Sequence, residues 1–122
     1  MLDCGLDLIA EVLYGKWKMR LLYFIYLDHL RPSELQRKIP DASPRVLLQQ
    51  LKELETHNLL GKTIYAQVPA KVEYHLKELG RSLIPVIEAL GNWADAHQKA
   101  LRQTILDSHI HKAIITKVTS TD

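Results

Sequence analysis

The chain has 122 residues, with 16 Lys and Arg against 14 Asp and Glu, so its formal net charge is only +2. Hydrophobic residues at 47% and charged residues at 25% are ordinary for a globular chain and exclude a disordered or collagen-like one, while a single cysteine excludes an intramolecular disulfide framework and a CxxC metal clip. Divided along the chain, the charge is uneven: twelve bases and seven acids between Lys16 and Arg81 leave +5, with −3 before and zero after, an asymmetry that suits a polyanion partner.

The acidic start, Met1-Leu-Asp-Cys-Gly-Leu-Asp7, is unlike a basic secretory leader. No apolar run approaches the roughly 20 residues of a membrane span, so a soluble, cytoplasmic protein without membrane contact is expected. Leu6, Ile9, Ala10 and Leu13 recur at helical spacing and predict a short helix over 6–13 that ends near Gly15. From Lys16 to Leu27 the chain is almost wholly apolar, as in a helix at the centre of a small core. Pro32-Ser-Glu-Leu35 opens a third helix that should stop before Pro40.

The next start signal is sharper. Ser43 suits an N-cap and Pro44 the first helical position, and the pattern runs on to about His57. Leu47, Leu51, Leu54 and Asn58 share one stripe, while Arg45, Gln49, Lys52 and Thr56 point the other way, with Val46 and Leu48 on the flanks. A short helix, a turn holding Pro40 and Asp41 and a longer helix with a polar outer face outline a helix-turn-helix.

Strand periodicity follows. Residues 61–66 and 71–76 are expected to form a hairpin about the Gln67-Val-Pro-Ala70 turn, with Tyr65 and Tyr74 approaching across it. A hairpin directly behind a helix-turn-helix makes a winged helix. Beyond it, Leu79, Leu83, Val86, Leu90, Trp93, His97, Leu101 and Ile105 step by three and four, the mark of a helix that pairs with another. Pro85 should kink this helix and Gly91 weaken it. For residues 109–118 helix and strand both stay open.

These motifs together carry a resemblance. Cys4, Gly15-Lys-Trp-Lys18, Glu34-Leu-Gln-Arg-Lys-Ile-Pro40, Ser43 with Leu47-Leu-Gln-Gln-Leu-Lys-Glu-Leu54, Val68-Pro-Ala-Lys-Val-Glu-Tyr74 and Leu79-Gly-Arg-Ser-Leu-Ile-Pro85 stand in the order and spacing of one family. Over roughly residues 4–98 the sequence resembles the HxlR-type winged-helix transcription regulators of bacteria and archaea. The chain departs from the family in three places. Asp28-His29 replaces a Gly-Pro turn, Pro32 replaces a Phe and argues against a short first strand, and Leu48 replaces a polar residue of the recognition helix.

The expected fold is mainly α with a small β-hairpin wing. A single domain over 1–122 would hold a DNA-binding core at about 16–77, with dimerisation helices at about 6–13 and 77–107. The second helix of a helix-turn-helix is the element that enters the major groove. Arg45 can pair with guanine O6 and N7 and Gln49 with adenine N6 and N7, whereas Lys52 suits phosphate. Ser43, Val46 and Gln50 complete the candidate face, Gln50 ranking lower because it lies nearer the core stripe. The resemblance implies that Lys71, at the wing tip, reaches the DNA backbone or minor groove. Lys16, Lys18, Arg37, Lys38 and Lys62 are expected to add to the positive field.

Two readings stay open for Cys4: an inert, buried thiol or, by the resemblance, a sensor of oxidants or electrophiles. Asp3 beside it would raise the thiol pKa, whereas Lys16 or Lys18 would lower it. The histidines show no metal-ligand spacing, and no phosphate loop, GxSxG or catalytic carboxylate pair is present, so neither enzyme activity nor a cofactor is expected. The expected function is a homodimeric, sequence-specific regulator on inverted-repeat duplex DNA, with Leu83, Val86, Leu90 and Trp93 as dimer anchors. The alternative is a winged-helix module that binds protein.

Overall fold

The computed structural model describes residues 4–119. In chain order it contains α1 (Gly5–Val12), α2 (Lys18–Tyr26), α3 (Pro32–Lys38), α4 (Pro44–Thr56), β1 (Leu60–Tyr65), β2 (Lys71–Leu76), α5 (Glu78–Ala96) and α6 (Gln98–Thr119). The chain divides into two compact units, one ending at Ile87 and the other beginning at Glu88.

In the first unit, capping chemistry decides where the helices stop and start. α3 opens with Pro32 in its first turn, where a missing N–H costs nothing. Arg20 Nη2 donates to the carbonyl of Lys38, the last residue of α3. Gln36 Nε2 then donates to the carbonyls of Ile39 (3.3 Å) and Ala42 (2.7 Å), which ties the turn between α3 and α4. Ser43 caps α4 by accepting from the Val46 N–H at 3.2 Å. The helix ends in a Schellman arrangement: the Asn58 N–H donates to Glu55 and the Leu59 N–H to Leu54. Asn58 takes the left-handed conformation this needs, φ 65°, and its Oδ1 accepts from Lys77 Nζ at 2.8 Å. Asp28, standing where the family has glycine, is also left-handed, φ 72°; a short polar side chain tolerates that region better than most.

The core sits between α2, α3, α4 and the hairpin. Leu21, Leu22, Leu35, Leu51, Leu54 and Leu60 have no exposed surface. The apolar α2 is therefore central, although only one of its faces is buried; Met19, Tyr26 and Leu27 reach the surface. β1 and β2 pair antiparallel, Leu60 opposite Leu76 and Tyr65 opposite Lys71. This register corrects the expected tyrosine contact, because Tyr74 lies opposite Lys62 and is buried while Tyr65 is exposed. Among the described residues no strand precedes the hairpin, but the Tyr74 N–H donates to the Leu30 carbonyl at 2.8 Å.

α5 leaves the hairpin through a close backbone approach. The Leu59 carbonyl accepts from the Lys77 N–H at 3.0 Å, and a Cβ built on Gly80 would run into that same oxygen. Only glycine fits there. Leu83 is half-buried and, with Leu8, Ile9 and Val12 of α1, lines a groove of about 250 Å³.

The described part of the second unit is helical on both sides of His97, so the open choice for 109–118 resolves as helix. The single helix expected over 77–107 is two: it breaks at His97, whose ring stacks on Trp93 with centroids 4.7 Å apart and whose Nδ1 lies 2.8 Å from the Trp93 carbonyl oxygen. From Glu88 to Val118 no residue is buried.

Candidate nucleic-acid interface

α4 carries two chemistries on its two sides. Leu47, Leu51 and Leu54 are buried, as their spacing requires, and Arg45, Gln49, Lys52 and Thr56 are exposed. The Arg45 and Lys52 charges have no ion-pair partner among the described residues. Val46 is 37% exposed and Leu48 49%, so the outer face is basic and polar with two apolar residues in it.

The inner edge of α4 withdraws two side chains expected at the surface. Gln50 is only 9% exposed, and its Oε1 accepts from the Trp17 N–H at 2.9 Å. It is a clamp between α4 and the turn before α2, and cannot present its amide to a base. Lys18, expected to contribute to the surface field, is 1% exposed, and its Nζ lies 2.7 Å from Glu53 Oε2. A lysine buried to that degree needs such a partner. The Lys18 ammonium holds the Glu53 carboxyl below the usual carboxylate range, with further help from Gln49 and His57. A carboxyl lowered on folding stabilises the fold when charged, so this contribution is complete near neutral pH and is lost as acid protonates Glu53. Nothing in the sequence singles out Glu53 or Gln36, each being one polar residue among several on its own helix.

On the wing, Lys71 opens β2 and is half-buried. Its Nζ lies 3.9 Å from Glu73 Oε1 and 4.9 Å from the centre of the Tyr65 ring. Glu73 also pushes the Tyr65 hydroxyl above the ordinary phenol range. Lys62 lies 3.7 Å from Glu55. Lys16 and Arg20 stand over the Trp17 ring at 4.9 and 5.7 Å. Arg37 and Lys38, at the end of α3, are exposed.

Cys4 is exposed and free, at the N-cap of α1, which corrects the reading of it as a buried thiol. Its Sγ lies 3.5 Å from Asp7 Oδ2, a carboxylate rather than either lysine weighed as its neighbour. Asp3 lies outside the described residues. Val86, Leu90 and Trp93 are exposed on α5 at 50%, 49% and 56%, whereas Leu83 is half-buried within its own chain. No helix among the described residues is long and apolar enough to cross a membrane.

Comparison with known proteins bears directly on this geometry. The model of the HxlR-like helix-turn-helix family matches residues 12–102, the stretch that contains α2 to α5. The chain belongs to that family. Among its relatives is the HTH-type transcriptional regulator YkvN of Bacillus subtilis, 46% identical over 91 residues, 75% of this chain and 77% of the relative. Among solved structures, the redox regulator HypR in its reduced form superposes with a TM-score of 0.75 at 35% identity, covering 82% of this chain and 99% of that one. The reduced transcriptional regulator YodB of B. subtilis superposes at 0.63 with 29% identity, covering 76% and 92%. As a member of the HxlR-like family, this protein is a transcriptional regulator of the helix-turn-helix type and a winged helix. The family match begins at Val12, so Cys4 lies before it.

Proposed function

We propose that the protein is a homodimeric, sequence-specific regulator that reads the major groove of an inverted-repeat operator with the outer face of α4. One observation carries the reading: Arg45, Gln49 and Lys52 share the solvent side of a helix whose other side is locked into the core. Arg45 and Gln49 are assigned to base edges, Lys52 and the wing Lys71 to phosphate. Ser43 acts through its cap, holding the first turn of α4, and Val46 offers apolar contact beside Arg45. Dimerisation is assigned to the exposed α5 residues Val86, Leu90 and Trp93, Leu83 supporting them from within, with α1 contributing its exposed Leu6 and Leu8.

Selection of bound sequences from random duplex DNA by the purified full chain tests this. Inverted half-sites about 34–36 Å apart are expected. In that assay Arg45→Ala and Gln49→Ala should each relax preference at one position per half-site, at a cost of about 1–3 kcal/mol for the selected site. Unselected binding by the wild type would sink the reading.

The exposed Cys4 thiol, together with the likeness to HypR, supports a response to oxidants at the same protein. With one thiol per chain, the products open to it are an intermolecular disulfide, a mixed disulfide with a small thiol or an adduct. Diamide treatment should change operator affinity in the wild type and leave Cys4→Ser unmoved; equal responses would show the thiol to be structural. The exposure of Val46 and Leu48 favours a second reading, a protein-binding module. It predicts that steeply salt-dependent binding to duplex DNA is absent.

A further inference from the structure

Gln49, Glu53 and Lys18 form a chain of contacts from the outer face of α4 into the core. Gln49 Nε2 donates to Glu53 Oε1 at 3.3 Å, and Glu53 Oε2 lies 2.7 Å from Lys18 Nζ. Chemistry sets the direction of each link. An ammonium only donates and a carboxylate only accepts, so the amide nitrogen of Gln49 has to face Glu53. Its carbonyl oxygen and second N–H are left for an outside partner. That pair, one acceptor beside one donor, matches N6 and N7 of adenine and mismatches guanine, whose O6 and N7 both accept.

We propose that Glu53, anchored by the buried Lys18, fixes the polarity of the Gln49 amide and thereby the base that Gln49 accepts. The inference rests on α4 reading DNA as set out above. Glu53 is a positioning residue: it acts through Gln49 and touches no base. Lys18 anchors it because the ammonium, 1% exposed, has little freedom to move, whereas a surface lysine would release its partner to water.

Glu53→Gln tests the polarity with almost no change of shape, but it removes the buried ammonium's counter-charge, so its melting temperature should fall whether or not the relay operates. As an ammonium Lys18 still only donates, so it takes the oxygen of the new amide, whose NH₂ then faces Gln49. Gln49 has to turn its oxygen inward and its NH₂ outward. At the base pair where Gln49→Ala loses selectivity, E53Q should shift the relative affinity of adenine over guanine by roughly tenfold or more toward guanine. Lys18→Met combined with Glu53→Ala removes both charges together, strands neither and leaves the amide free to rotate. In that variant the two purines should bind within about threefold of each other.

The measurement is competition between selected duplexes differing at that one base pair, alongside each variant's melting temperature and affinity for random duplex. A purely structural role would lower melting temperature or overall affinity and leave the purine ratio at its wild-type value. That ratio, unchanged in both variants while Gln49→Ala abolishes it, would overturn the relay alone. No position relaxed by Gln49→Ala would overturn base reading by Gln49, and the relay with it.

Discussion

The body up to Ile87 and the helical stretch from Glu88 spend similar apolar side chains in opposite ways. In the body, the leucines of α2, α3 and α4 meet one another and the hairpin, and many have no exposed surface at all. From Glu88 on, Leu90, Trp93, Ile105, Leu106, Ile110 and Ile114 are each about half exposed. Isolated helices are marginal in water, and most helical stability in proteins comes from burying an apolar face. The body can supply that burial from its own chain. For the later helices a second copy of the chain is the supplier proposed above, and the contrast is between apolar faces buried within one chain and apolar faces that the same chain leaves exposed.

Mutations on the two sides should separate the two processes. The largest effect is expected for Leu51→Ala, which opens a cavity under the centre of α4 and should cost about 2–5 kcal/mol of unfolding free energy, read by denaturant titration. The loss should be similar at all protein concentrations. Leu90→Asp should behave differently, weakening association by about 3 kcal/mol, on the order of a hundredfold in Kd by light scattering or sedimentation. Its unfolding should become independent of protein concentration. A wild-type chain that is monomeric at micromolar concentration would break the comparison. Lys71→Ala gives the smallest change: weaker binding to all duplexes alike and a salt slope shallower by about one unit. A loss confined to one sequence would move Lys71 from the backbone to a base. The pairing of its ammonium with Glu73 predicts that Glu73→Gln strengthens the same non-selective binding slightly.

Much of this was legible from the order of residues, because the deciding interactions are local. Ser43 and Pro44 start α4 through the first turn's own unpaired N–H groups, and the leucines at 47, 51 and 54 face one way because 3.6 residues make a turn. The opposed direction of Arg45, Gln49 and Lys52 follows from the same arithmetic. Motif order also indicated the family, since several spaced motifs constrain a fold more than any one of them. What periodicity could not reveal was the partner across space. Gln50 and Lys18 look like surface residues by type, and only the packing of the Gly15–Lys18 turn against α4 makes one a clamp and the other a buried ion. The hairpin register departs from the expected tyrosine contact for a related reason: alternation tells which residues share a face, but the pairing of Tyr74 with Lys62 is decided by where the turn closes. His97 breaks a heptad-like run although nothing in its spacing forbids a continuous helix. Sequence thus determined the elements, their caps and their two-sidedness, all set within a few residues of backbone. Tertiary structure alone decided which polar side chains are withdrawn from the interface, because burial of a charge or an amide depends on partners more than thirty residues away.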